Sequence, residues 1–244
     1  MTGQHPKGLR RSAWSRLRWW RFRLFQRHRH DRPVLETVAG RPILVLPSVL
    51  NPVLFETGRF LAETLVEEDP SGFGKPEGSG PVLIPPGATV LDMGTGTGIA
   101  AVFAADRATR VVAVDINPQA VRCARINALL NRVDDRVQVL HGDLFAPVQD
   151  ERFDVVLFNP PYFVGEPRTD FERALRSGDL GERFAAGLAG HLAPGGRLLL
   201  LLSTDGDESG WLAALRANGF DHQVVAQRDL RSEVLTIHRI ARHG

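Results

Sequence analysis

From about residue 85 to its end the chain repeats one pattern: a short run rich in Val, Leu and Ile, a polar turn, then a longer amphipathic stretch. The runs ATVLDMG (88–94), RVVAVDI (110–116), RVQVLHGD (136–143), FDVVLFN (153–159) and GRLLLLLS (196–203) read as strands, and two more close the chain at about 222–228 and 233–240. Helices are expected at 98–106, 118–131, 179–192 and 208–218. Strands that alternate with helices run parallel, because each helix carries the chain back over the sheet to start the next strand. The near-continuous apolar runs mean that both faces of the sheet are covered. The expected fold is therefore α/β, a doubly wound seven-stranded mainly parallel sheet whose two adjacent final strands form an antiparallel hairpin. Ligands of such sheets sit outside the carboxyl ends of the strands. Here those ends are Asp92-Met93-Gly94, Asp115, Asp143 and Asn159.

Ahead of this unit lie two segments of different character. Residues 1–33 form a basic arm in which Arg alternates with Trp14, Trp19, Trp20, Phe22 and Phe25. Ten basic side chains against the single acid Asp31 put residues 1–32 at +9, so with a whole-chain charge of +2 the remainder carries −7. Such a composition suits phosphate neutralisation and base stacking, and equally an anionic membrane surface, an acidic partner, a targeting peptide or a helix packed on the domain. Residues 34–81 are a preamble: a proline-punctuated extended stretch, a helix from about Glu56 to Glu67 and a Gly/Pro/Ser-rich loop at 69–81. The unit from 82 to 244 carries the alternating pattern. The lone Cys123 excludes an intramolecular disulfide and a cysteine-based zinc site; no metal site is expected, and a reducing cytoplasm is the natural setting. No apolar run approaches the roughly 20 residues that span a bilayer, so a soluble protein is expected.

The first strand ends in LDMGTGTGIA. Gly94, Thr95, Gly96 and Gly98 make a tight strand-to-helix loop, but the dinucleotide fingerprint asks for glycine at 99, where the chain has Ile99. Asp92 also suits a cation better than a pyrophosphate, and S-adenosylmethionine carries a sulfonium and an amino group with no phosphate. Asp115 is placed to accept both ribose hydroxyls, Ile116 to lie against adenine, and Asp143, beside Leu144, to accept from the exocyclic amine. A nicotinamide-dependent oxidoreductase is the competing reading of the loop.

The strand FDVVLFN stops at Asn159-Pro160-Pro161-Tyr162. A planar nitrogen is a poor nucleophile because its lone pair is delocalised. Two acceptors aimed at its two hydrogens hold it and return electron density to it. The Asn159 side-chain oxygen and the Pro160 carbonyl supply that pair, the two proline rings offer no competing N–H, and Tyr162 stacks on the flat acceptor group. These residues are the candidate catalytic and substrate-binding set.

In these segments the chain resembles class I S-adenosylmethionine-dependent methyltransferases with their Rossmann-like fold, and Asn159 to Tyr162 is similar to the fourth motif of the amino-methyltransferases. VLDMGTGTGIAAVFA, VVAVDINPQAVRCARINALLN and FDVVLFNPPYF resemble the HemK-type glutamine methyltransferases of release factors. VLPSVLNPVLFETGRFLAETL, with Glu56 and Gly58 ahead of a helix, is similar to the lead-in of the small methyltransferase domain of ribosomal RNA guanine enzymes, which usually carry Phe in place of Tyr162. Bacterial HemK-type enzymes place a helical recognition domain where this chain has its arm. The resemblance implies S-adenosylmethionine as cofactor and methyl transfer to a protein glutamine, a release factor first, or alternatively to an RNA base. A non-catalytic module that binds S-adenosylmethionine or RNA is the reading of another class. Of the remaining polar residues, His141 reads as structural, Cys123 as core packing, and Arg168, Asp170, Glu172 and Arg173 as a solvated loop.

Overall fold

The computed structural model describes residues 32–66, 82–160, 163–164, 176–177 and 179–243. The arm up to residue 31, the loop at 69–81, Pro161, Tyr162, Arg168, Asp170, Glu172 and Arg173 lie outside the described residues. The strands are β1 Val34–Val38, β2 Arg41–Val45, β3 Thr89–Met93, β4 Arg110–Asp115, β5 Val137–His141, β6 Phe153–Phe158, β7 Phe163–Val164, β8 Arg176–Ser177, β9 Leu192–Ser203, β10 Phe220–Asp229 and β11 Val234–Arg242. The helices are α1 Thr57–Val66, α2 Ile99–Ala104, α3 Pro118–Leu130, α4 Leu180–His191 and α5 Glu208–Ala217.

Seven strands form one sheet in the order β10-β11-β9-β6-β3-β4-β5. The pairs β3/β4, β4/β5, β3/β6 and β6/β9 are parallel, and β11 pairs antiparallel with both β9 and β10. This is the doubly wound sheet with a closing hairpin that the alternation implies. β11 slots between β9 and β10, so the hairpin's first strand is the edge. The chain leaves β3 toward β4 and β5 and then returns to the other side of β3 as β6. That reversal opens a crevice at the carboxyl ends of β3 and β6.

The pleat sorts each strand between two cores. Val90, Val111, Ala113, Val155, Leu157, Leu199 and Leu201 face a core shared with α1, α2, α3 and the β1–β2 hairpin. Leu91, Met93, Val112, Val156, Phe158, Leu198 and Leu200 face a second core under α4 and α5. The second core is aromatic: Phe184 on α4 lies 5.2 Å from Phe145, 4.5 Å from Phe158 and 6.0 Å from Trp211, ring centre to ring centre.

The preamble holds more structure than an extended stretch. β1 and β2 pair as an antiparallel hairpin around Ala39 and Gly40, both at positive φ; β1 lies against α1 and β2 along α3. Arg41 makes a bidentate ion pair with Asp106 at 2.6 and 2.7 Å, donates to the Val102 carbonyl at the end of α2, and covers the Phe103 ring. Val38, Ile43, Phe60, Leu61 and Leu65 are buried in the first core, so hairpin and α1 share it with the sheet.

The aromatic cluster sits beneath the end of β6, and Phe184 is fully buried at its centre. Phe184→Ala is expected to cost about 3–5 kcal/mol in stability, the usual loss for a buried Phe reduced to Ala. Urea unfolding of the full chain checks this; a loss within about 0.5 kcal/mol, as for a surface change, contradicts it.

Candidate active site

The crevice holds a cavity of about 600 Å³. Its floor is the turn from β3 to α2. Gly94, Gly96 and Gly98 have φ of 62°, 56° and 81°, a left-handed region that a side chain makes costly. Space adds to that requirement at Gly98, where a Cβ would stand 2.8 Å from the Ala124 Cα. The loop therefore packs directly on α3 and presents Gly94, Thr95, Gly96 and Thr97 to the cavity.

Two carboxylates hold this loop, and only one of them lines the cavity. Asp115, at the end of β4, accepts from Gly96 N–H through Oδ2 and from Asn117 N–H through Oδ1, both at 2.8 Å. Asp115 lies on the cavity wall, and a carboxylate with about four lone-pair sites keeps acceptor capacity beyond its backbone partners. Burial pushes its carboxyl above the usual value, against the pull of those two N–H groups.

Asp92 departs from expectation. Read as a cavity-facing partner for a cation, it is 4% exposed and absent from the cavity wall. The pleat explains this: Asp92 alternates with Leu91 and Met93 and so projects onto the face that carries α2. There its Oδ2 accepts from Thr95 Oγ1 at 2.5 Å and from Ala101 N–H at 3.1 Å. It braces the loop from beneath, and burial raises its carboxyl from 3.8 to about 7.

Of the other expected residues, Ile116, Asp143, Leu144 and Asn159 line the same cavity. Ile116, 41% exposed, offers an apolar face at the cavity mouth. Asp143 lines the cavity but is ion-paired with Arg183 of α4, and Leu144 beside it has a strained φ of 46°. Asn159 lines the cavity at the end of β6, with its Nδ2 at 3.4 Å from Thr57 Oγ1, and Pro160 behind it is buried. His141 contacts the Ile116 carbonyl at 3.0 Å through Nε2, fastening the end of β5 to that turn. Cys123 is buried and its thiol is pushed up to about 11, in keeping with packing.

Sequence reasoning missed one whole wall. Ser48, Val49, Leu50, Pro52, Thr57 and Gly58 of the preamble line the cavity, as do Asn117, Asp179 and Arg183. The signal was present only as Glu56 and Gly58: Glu56 has φ of 60°, and a Cβ on Gly58 would meet Pro52 Cβ at 2.9 Å, so the start of α1 is pressed against the segment before it. Arg183 had no local signal. It lies one helical turn after Asp179 at the α4 start, where it reaches Asp143.

A glycine turn at the switch point of a seven-stranded sheet, a strand-end carboxylate beside it and a polar amide ending the next strand define a Rossmann-like methyltransferase class of site. The chain belongs to the methyltransferase small domain family, which matches residues 82–233. It is 40% identical over 133 residues to the release factor glutamine methyltransferase of Cereibacter sphaeroides, covering 48% of each chain. It is 32% identical over 126 residues to the tRNA1(Val) (adenine(37)-N6)-methyltransferase of Porphyromonas gingivalis, covering 47% of this chain and 49% of that one. Its fold matches the T. thermophilus 16S rRNA N2 G1207 methyltransferase, solved with AdoMet and guanosine, at a TM-score of 0.62 and 21% identity over 87% of this chain and 50% of that one. The chain thus spans about half the length of each of these proteins.

The raised Asp92 carboxyl sets a pH dependence. An acid whose folded value exceeds its unfolded one takes up protons on folding between the two, so its contribution to stability is full below 3.8 and is lost as pH rises through about 7. Asp92→Asn keeps an acceptor for Thr95 and Ala101 without the ionisation. Relative to this variant, the ligand-free wild type is expected to lose melting temperature progressively across that window; parallel profiles for the two proteins would remove the assignment.

Proposed function

We propose that this chain is an S-adenosylmethionine-dependent N-methyltransferase acting on a planar amide or exocyclic amine nitrogen, with the glutamine side chain of a protein, a release factor first, as its acceptor. One observation carries the reading: Asn159 opens into the same cavity as Asp115 and the glycine turn. The donor set fits the cofactor, since Asp115, Asp143 and Asp179 stand against Arg183 as the one cation among the described lining residues. That balance favours a ligand with cationic groups and disfavours a dinucleotide pyrophosphate.

When bound, S-adenosylmethionine supplies an electrophilic methyl on a sulfonium. The chain's own groups do the holding. The open lone pairs of Asp115 accept ribose hydroxyls, Ile116 and Leu144 cover the base, and Asp143 serves its amine from the outer rim. Asp92 acts on the cofactor only through the loop it braces. Asn159 Oδ1 and the Pro160 carbonyl accept the two hydrogens of the acceptor nitrogen, and the sequence motif assigns the stacking role to Tyr162. No strong base is required before transfer, because the nitrogen becomes acidic only as the new bond forms and then gives up one of its two hydrogens as a proton to solvent. Rate enhancement then comes from alignment and from preorganised acceptors.

RNA is the second reading, favoured by the +9 arm and by the relative that bears a tRNA adenine methyltransferase name. Either acceptor belongs with a cytoplasmic, translation-linked enzyme. Labelled methyl followed from S-adenosylmethionine into lysate of cells lacking this protein separates the two: loss of label with protease supports a protein acceptor, and loss with ribonuclease supports RNA. Asn159→Ala is expected to lower transfer by about 10²-fold or more with little change in S-adenosylhomocysteine affinity. Unchanged turnover would overturn the assigned chemistry.

A further inference from the structure

Three asparagines, Asn127 within α3 and Asn117 and Asn131 at its two caps, grip the preamble. Asn117 Nδ2 donates to the Ser48 carbonyl at 3.0 Å, and Asn131 Nδ2 to the Pro42 carbonyl at 2.9 Å. Between them Asn127 is completely buried, and its amide is engaged on both sides. Its Oδ1 accepts from Leu44 N–H at 2.7 Å, and its Nδ2 donates to the Leu44 carbonyl at 2.7 Å and to the Thr97 carbonyl at 2.8 Å. Leu44 belongs to β2, and Thr97 to the glycine turn that lines the cavity.

The side chain thus treats Leu44 as a neighbouring strand would, bonding both its backbone groups, and spends its second amide hydrogen on the loop. A carboxamide is planar and rigid. Turning it to follow a displaced hairpin withdraws the hydrogen from Thr97, and a displaced loop pulls the acceptor from Leu44. In a buried site either loss leaves polar groups unpaired, which is costlier than the bond itself. Ser48, Val49, Leu50 and Pro52, a few residues after β2, line the same cavity.

We infer that Asn127 is a positioning residue that couples docking of the β1–β2 hairpin to the conformation of the cofactor loop, so that the cofactor and the hairpin stabilise each other. The inference rests on the cofactor reading proposed above. Coupling of this kind is reciprocal: whatever tightens the loop tightens the hairpin by the same factor.

The test uses the full chain and S-adenosylhomocysteine, with titration calorimetry for affinity and amide exchange at Leu44 for docking. Saturating ligand is expected to slow wild-type Leu44 exchange by about tenfold, and Asn127→Ala to lose that ligand-induced slowing while weakening binding by about tenfold. Asn131→Ala, which frees β2 without touching the loop, is expected to weaken binding by a smaller factor. Equal Leu44 exchange with and without bound ligand in the wild type overturns the inference, whether or not the Asn127 variant folds. So does an Asn131 variant whose hairpin exchanges faster at unchanged affinity. Failure of the wild type to bind S-adenosylhomocysteine at all is a different result: it overturns the cofactor reading, and the coupling with it.

Discussion

A strand-to-helix turn with three left-handed glycines cannot hold itself in place, and the whole site is built on such a turn. Only its two threonines, Thr95 and Thr97, bury side chains, and its backbone must stay open to the cavity. Its rigidity is therefore imported. Asp92 braces it from below through Thr95 and Ala101, Asp115 from the side through Gly96, and Asn127 from behind through Thr97. Hydrogen bonds to a charged group are worth about 1.5–3 kcal/mol each, but the two carboxylates sit close enough that Asp115 adds to the upward shift of Asp92. Burial and mutual repulsion set a limit on how many carboxylates can serve one loop. A neutral amide takes the third position.

The two faces of the sheet divide the work that follows. On one face Asp92, α2, α3 and the hairpin fix the glycine turn. On the other, Phe158 packs between Phe184 and Trp211, the last at 5.5 Å and nearly perpendicular. Such aromatic contacts add about 0.5–1.5 kcal/mol beyond the area they bury. Because Phe158 immediately precedes Asn159, that packing fixes where β6 ends and hence where the amide enters the cavity. A loop held on one side and an amide held on the other meet at the switch point of the sheet.

Much of this was legible in the sequence where a periodic signal reports it. The continuous apolar runs gave seven strands and their order of use, and the glycine spacing marked the turn, with Ile99 separating it from a dinucleotide loop. Gly98 shows how spacing misleads about purpose: its missing side chain lets α3 come within contact of the loop at Ala124. Asp92 was read on the rim because it ends a strand, yet the pleat turns it under the loop, and a one-residue alternation is invisible when both faces of the strand are apolar. The preamble wall could not be read either. Its residues reach the cavity through contacts spanning 69 to 102 positions, such as Asn117 with Ser48 and Asn159 with Thr57, and no local pattern encodes them. The asparagines of α3 looked like ordinary helix residues for the same reason.

Electrostatics sharpens the choice of acceptor. The part of the chain after residue 32 carries −7, and three carboxylates line the described cavity. A glutamine side chain is neutral and meets no penalty on entering such a site. A nucleic acid brings one charge per nucleotide and is repelled over about 8 Å, the screening length at physiological salt. It therefore needs a concentrated cation source, and the arm, ten basic residues joined directly to β1, is the segment of the sequence that provides one. An RNA acceptor makes the arm indispensable and the reaction steeply salt-dependent. A protein acceptor makes neither demand, so the acid-lined cavity, weighed by itself, supports the proposed glutamine acceptor over the RNA one.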